Sequence, residues 1–190
     1  MKNLKPLLAC ALALACAPAV AHPAAAAHAH GFAAGFLHPF TGLDHVLAML
    51  AVGIWSVRQP HARALPLAFL AMLFVGVVTG VAGLEIPELE TGIALSVAVL
   101  GVLIFVAVRL PAAVGALMLA AFATLHGNAH GHEMPAVASA MGLLVGSALL
   151  LEAGRLLGRV SPALMLKLAG AMIAAAGVML AAAAAASNIA

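Results

Sequence analysis

Charge, sulfur and aromatic side chains are what this sequence has least of. Only 7% of its 190 residues are charged, far too few to cover a soluble surface. The basic residues are scattered singly and the formal net charge is +2, which leaves no basis for a nucleic-acid partner or a polybasic lipid-binding patch. Tyrosine is absent and tryptophan occurs once, so aromatic belts do not mark span ends, and charges and prolines must serve instead. No phosphate-binding glycine loop occurs, which removes ATP as a direct energy source, and no HExxH helix motif of a metallohydrolase is present.

What is abundant is apolar surface: 66% of the residues are hydrophobic and the mean hydropathy is +1.20. The expected fold is all-α, a polytopic membrane helix bundle of six transmembrane helices after a cleaved signal peptide, with the lipid bilayer as its solvent. Residues 1–21 supply the signal: Lys2 and Lys5, an apolar run too short to span, and Ala19-Val20-Ala21 as cleavage site, with Ala27 as a second option. An uncleaved first helix and a lipid anchor at Cys16 are the alternatives. Both cysteines, Cys10 and Cys16, fall inside this segment, so cleavage leaves no thiol ligand and no disulfide. Residues 22–37 then form an external arm carrying His22, His28 and His30, either a loose ion trap or an inert spacer. Residues 38–190 form the membrane domain.

Proline punctuates that domain into apolar segments at residues 40–57, 65–84, 91–108, 112–125, 136–151 and 163–186. At 1.5 Å per residue these cross a core of roughly 30 Å, the fourth and fifth only with their polar ends included. If the arm is exported, Arg58, Arg63, Arg109, Arg155, Arg159 and Lys167 all fall on the cytoplasmic side, as the positive-inside rule requires. The mature N-terminus is therefore expected outside, on the side of the membrane opposite the cytoplasm. Glycines four apart, at Gly76 and Gly80, Gly142 and Gly146, and Gly154 and Gly158, fit close helix packing. Three spans on each side of Arg109 would allow inverted halves, although the two polar clusters do not occupy equivalent ends.

The chemistry lies in those two clusters. His38-Pro39-Phe40-Thr41-Gly42-Leu43-Asp44-His45 runs straight into an apolar span, and a carboxylate in hydrocarbon costs several kcal/mol unless it faces a partner or water. His126-Gly127-Asn128-Ala129-His130-Gly131-His132-Glu133 lies on the same membrane side, at the junction of the fourth and fifth spans. Together they offer nitrogen and oxygen donors without sulfur, a set suited to Ni2+, Co2+, Zn2+ or Cu2+. On a straight helix His38 and His45 stand about 10 Å apart along the axis, so there are two stations or the first turns are kinked at Pro39 and Gly42. His126 and His130, and His130 and Glu133, have chelating spacing, while Gly127 and Gly131 count against regular helix there. Taken alone, the second cluster reads as a polar external loop. Glu85, Glu88 and Glu90 read as a solvated acidic loop, and Glu152 as a partner for Arg155 or Arg159. The inner halves of the spans offer few donors beyond Thr79, Ser96 and Ser147, so no exit path is legible.

The pattern His38-Pro39-x-x-Gly42-x-Asp44-His45 followed by Ala48-Met49 and Val52-Gly53, with His126-Gly127-x-Ala129-His130-Gly131-x-Glu133 and Pro135, resembles the signature of the HupE/UreJ family. The resemblance covers both motifs, the signal peptide and all six spans. It implies a nickel permease of the bacterial inner membrane, not an enzyme, linked to hydrogenase or urease maturation, with cobalt or other metals for some members. It also implies transport roles for His38, Asp44, His45 and Glu133, with His126 and His130 as further motif positions; His132 fills a variable one. A divalent metal ion is then the partner, as facilitated or ion-coupled cargo, and a homo-oligomer is left open. The rival classes are a metal sensor or accessory factor, a di-histidine haem protein using His45 and His126, and an intramembrane metal hydrolase with Glu133 or Asp44 as base.

Because neutral imidazole is the ligand form, protons compete with the ion. Metal binding measured between about pH 7.5 and about pH 5.5 is expected to weaken steadily toward acid, since unperturbed imidazole titrates near 6.5.

Overall fold

The computed structural model describes residues 31–187. The expected signal peptide and the arm histidines His22, His28 and His30 lie outside the described residues. Seven α-helices and one 3-10 turn make up the rest: α1 (Phe32–Leu37), the turn (His38–Phe40), α2 (Leu43–Ser56), α3 (Ala64–Val81), α4 (Leu89–Val106), α5 (Ala112–Glu133), α6 (Val137–Val160) and α7 (Ala163–Ser187). No strand occurs among the described residues. The helices α3 to α7 are each long and apolar enough to cross a membrane. A sixth span exists if the segment Phe32–Phe40 is counted with α2, from which it is bent by 78°. Large apolar side chains such as Leu67, Leu117, Leu164 and Met179 face outward, as a lipid solvent favours. The chain is a polytopic helical membrane protein.

The first span departs from the straight helix of residues 40–57 expected from hydropathy. Pro39 lacks an N–H and its ring blocks a continuing α-helix, and Gly42 is extended at φ −91° and ψ 120°. The backbone groups freed by the break are satisfied locally: Thr41 donates to the His38 carbonyl through its N–H at 3.0 Å and through Oγ1 at 2.7 Å. At 14 residues, α2 is only about 21 Å long. It is nevertheless the centre of the bundle, with Ala48, Met49, Ala51 and Val52 wholly buried. Residues 32–37, assigned above to the arm, are helical and lie against α6.

The helices pair α4 with α7, α3 with α5, and α2 with α6, and α1 also docks on α6. Exchanging the three spans before Arg109 with the three after it maps α2·α6 onto α5·α3 and α4·α7 onto itself, the pairing that inverted halves produce. Each of these contacts is backbone against backbone across glycine. A Cβ at Gly76 would overlap the Thr124 carbonyl oxygen, one at Gly127 the Leu73 carbonyl oxygen, and one at Gly154 the Leu50 carbonyl oxygen. Gly142 and Gly146 seat α1 in the same way, against Phe32 and Phe36. Without a hydrophobic force between helices in lipid, such close approach is what holds them.

At the arginine-bearing end the bundle is sealed by polar contacts to the α4–α5 connection. Trp55 Nε1 and Gln59 Nε2 both donate to the Val108 carbonyl, at 3.1 and 2.9 Å, and Gln59 Oε1 accepts from the Leu110 N–H at 3.0 Å. Glu152 pairs with Arg155 at 2.7 Å, the pairing expected from spacing.

Gly127→Ala places a methyl group 2.9 Å from Gly76 Cα in addition to the carbonyl overlap. It is expected to cost about 1–3 kcal/mol, read as a lowered Tm in detergent. Gly92→Ala meets only the flexible Leu125 side chain and should change Tm little.

Candidate metal centre

The broken first span and the last two turns of α5 build one cluster. Residues 126–133, which by themselves read as a loop, continue α5 without interruption to Glu133. Gly127 and Gly131 neither stop the helix nor face the histidines; they are the surfaces against which α3 packs. That packing fixes the rotation of α5, so that His126, His130 and Glu133 turn toward α2 and the turn before it.

The 78° break is what makes His38 and His45 neighbours of one residue. The His38 ring meets His130 edge-on at a centroid distance of 4.7 Å, and the His45 ring lies 4.0 Å from His130. His45 also meets His126 at 4.6 Å. Four imidazoles therefore form a continuous file. The His38 side chain at its outer end is 20% exposed, and the other three are buried, at 2% for His130, 8% for His45 and none for His126.

At the open end, Glu133 Oε2 accepts from His38 Nε2 at 2.9 Å and from His130 Nδ1 at 3.4 Å. One ligand atom from each of His38, His130 and Glu133 lies within 4.8 Å of the other two. Three donors each about 2.1 Å from one ion lie no more than about 3.6 Å from one another, so closure by at most about 1.2 Å would complete a three-point site. For either imidazole to ligate through the nitrogen that now faces Glu133, its single ring proton would have to sit on the other ring nitrogen.

Asp44 is not part of that three-residue group. Its Oδ1 accepts from the His45 backbone N–H at 2.8 Å and from His45 Nδ1 at 3.1 Å. The first contact satisfies one of the orphan donors at the start of α2 and places negative charge at its positive end. The second commits the ring proton of His45 to Nδ1 and leaves Nε2 as a lone pair, the carboxylate–histidine arrangement found behind metal-ligating imidazoles. Gly42 makes room for it: a Cβ there would lie 2.9 Å from Asp44 Oδ1. His45 Nε2, His130 Nε2 and His126 Nδ1 are buried and have no hydrogen-bond partner among the described residues. An unpaired buried polar atom costs about 1–3 kcal/mol, and three in one cluster make this the candidate place for a ligand.

Sequence reasoning missed two residues here. Glu90, read as part of a solvated acidic loop, lines the cleft with His38, Gly42, Asp44, His45, Ile93 and Glu133. Ser96, read as an inner-half donor, instead contacts His126 Nε2 at 2.9 Å; an isolated hydroxyl within an apolar span was the only signal. His132 turns away from the cluster and donates to the Leu84 carbonyl at 3.1 Å. Asn128 is likewise structural, bridging from α5 to Thr79 and to the Leu84 carbonyl.

Asp44→Asn replaces a pure acceptor with a group that also donates, so the His45 proton is no longer held at Nδ1. Binding of a divalent transition metal, followed by calorimetry, is expected to weaken 10–100-fold. Gly42→Ala, which displaces the same carboxylate, should weaken binding in the same direction.

Comparison with known proteins places this geometry in context. A family model described as HupE / UreJ protein matches residues 10–180. Protein HupE of Rhizobium leguminosarum bv. viciae is 39% identical over 137 residues, which cover 71% of this chain and 72% of that protein. No solved structure matches.

Proposed function

The chain belongs to the HupE/UreJ family, and from that premise we propose that it carries Ni2+ into the cell through the His38–His130–Glu133 cleft and the histidine file behind it. The family is associated with nickel and cobalt transport or accessory function, and with hydrogenase and urease. The observation that carries the finer reading is the meeting of three donors within 4.8 Å at the mouth of an apolar bundle, with His45 directly behind them. Imidazole and carboxylate donors suit Ni2+ and the neighbouring ions Co2+, Zn2+ and Cu2+ better than hard cations.

The mouth faces the periplasm of an inner-membrane protein in this reading. Its support is that Arg58, Arg63, Arg109, Arg155, Arg159 and Lys167 all sit at or near the opposite helix ends, which the positive-inside rule assigns to the cytoplasm. The ion loses water in stages as it descends: Glu133 and His38 are partly exposed and supply charge and a first nitrogen, while His130 and His45 are buried and supply nitrogen alone. Asp44 and Glu133 offset the charge of a dication that hydrocarbon would otherwise reject. Carriage is by a facilitator or a secondary carrier, since the sequence holds no phosphate-binding loop for ATP.

Vesicles containing only the purified protein test the reading against an accessory or sensor role. Uptake of Ni2+, compared with Co2+, Zn2+ and Cu2+, is expected for the wild type. Glu133→Gln should reduce it at least 10-fold while still inserting, as expected for loss of a ligand, and His132→Ala should retain it. Metal binding without flux would replace transport by the accessory reading.

A further inference from the structure

The transport reading leaves one buried contact without a role, that between Ser96 and His126. The Ser96 hydroxyl has a single proton and lies 2.6 Å from the Ile93 carbonyl oxygen, to which it donates. Ser96 Oγ is also 2.9 Å from His126 Nε2. With its proton given to Ile93, Ser96 accepts there, so His126 carries its ring proton on Nε2 and presents Nδ1 as a lone pair. That nitrogen is buried and has no hydrogen-bond partner among the described residues.

His45 reaches the same condition by another route. Asp44 takes the Nδ1 proton at 3.1 Å, and Nε2 is left bare and buried. The two rings meet at 4.6 Å, a separation within which small ring rotations place both nitrogens about 2.1 Å from a shared ion. Neither ring belongs to the His38–His130–Glu133 group. His126 stands two turns inward from Glu133, about 10 Å along α5.

We propose that Ser96 is a positioning residue that fixes the His126 tautomer, so that His126 Nδ1 and His45 Nε2 form a second, nitrogen-only station for a divalent transition metal. The station receives the ion from the cleft, so the inference rests on the transport reading of the same cluster. Two neutral nitrogens hold Ni2+ or Co2+ in preference to Mg2+ or Ca2+, which take oxygen. Lacking a carboxylate of its own, the station binds more weakly than the outer group, and ions that must leave need such a site. A purely structural serine would fill the same space without constraining which nitrogen is protonated.

The tautomer is read by nitrogen NMR of the full-length, metal-free protein labelled at histidine, with His126 assigned by loss of its signals in His126→Gln. The wild type and Ser96→Thr should show His126 protonated at Nε2, and Ser96→Ala a mixture. Titration with Ni2+ in a Glu133→Gln background, where the outer group is disabled, should show residual binding that Ser96→Ala weakens 10–100-fold and Ser96→Thr retains, with no binding of Mg2+. A wild-type His126 protonated at Nδ1 overturns the proposal even if Ser96→Ala fails to fold. So does absence of residual binding in the Glu133→Gln background, or residual binding indifferent to Ser96→Ala. Failure of the transport reading has a separate signature, absence of wild-type flux in vesicles with the tautomer and the titration unchanged.

Discussion

A neutral imidazole buried among apolar helices has one proton and one lone pair, and the partner that takes the proton decides what the lone pair can do. In this bundle Asp44 takes the proton of His45 and Glu133 that of His130, while Ser96 takes that of His126. Each choice leaves a buried nitrogen with no hydrogen-bond partner among the described residues. The rest of the molecule is the means of holding those partners within hydrogen-bond distance, since none of them would stay buried without the others.

The scaffold achieves this with small residues rather than with polar bonds. Gly76 and Gly80 on α3 meet Gly127 and Gly131 on α5 so closely that no side chain fits between them, and this contact locks the rotation of the helix that carries three donors. On the other wall, Gly142 and Gly146 of α6 receive α1, which holds the bent segment ahead of α2 in place and with it His38. The break at Pro39 and Gly42 is thus supported from both sides. It converts two histidines that would stand about 10 Å apart on a continuous helix into neighbours of His130.

The two ends of the bundle are built on different principles. At the site end the polar atoms are histidine nitrogens and carboxylates with lone pairs to spare, which suits a cation. At the arginine-bearing end, Trp55 and Gln59 spend their donors on the Val108 carbonyl, which closes the bundle with mutually satisfied groups. A site open to one side and sealed on the other is what a family tied to nickel and cobalt handling would need if the ion is carried in steps. The three strongest helix pairings survive exchange of the two halves, whereas the α2·α4 contact has no counterpart in α5·α7, so the frame is symmetric only in part.

Much of this was legible in the chain by itself. Hydropathy and proline spacing determine a helical membrane protein of about six spans, because a segment that must satisfy its own backbone in lipid has little choice but helix. Asp44 and His45 at the head of an apolar segment point to a candidate site, because burying them without purpose is costly, and the two motifs identify the family. What the linear pattern could not decide was orientation around and along the helices. Whether residues 126–133 are loop or helix depends on Gly127 and Gly131, which lower helix propensity in isolation and become the best residues for the contact once α3 packs on them. Whether His38 and His45 share a partner depends on a bend whose angle is set by α6, and whether Ser96 and Glu90 belong to the site depends on how α4 is turned against α2. Tertiary packing settles those questions because donor geometry is a matter of ångströms between distant segments, which spacing along one segment does not contain.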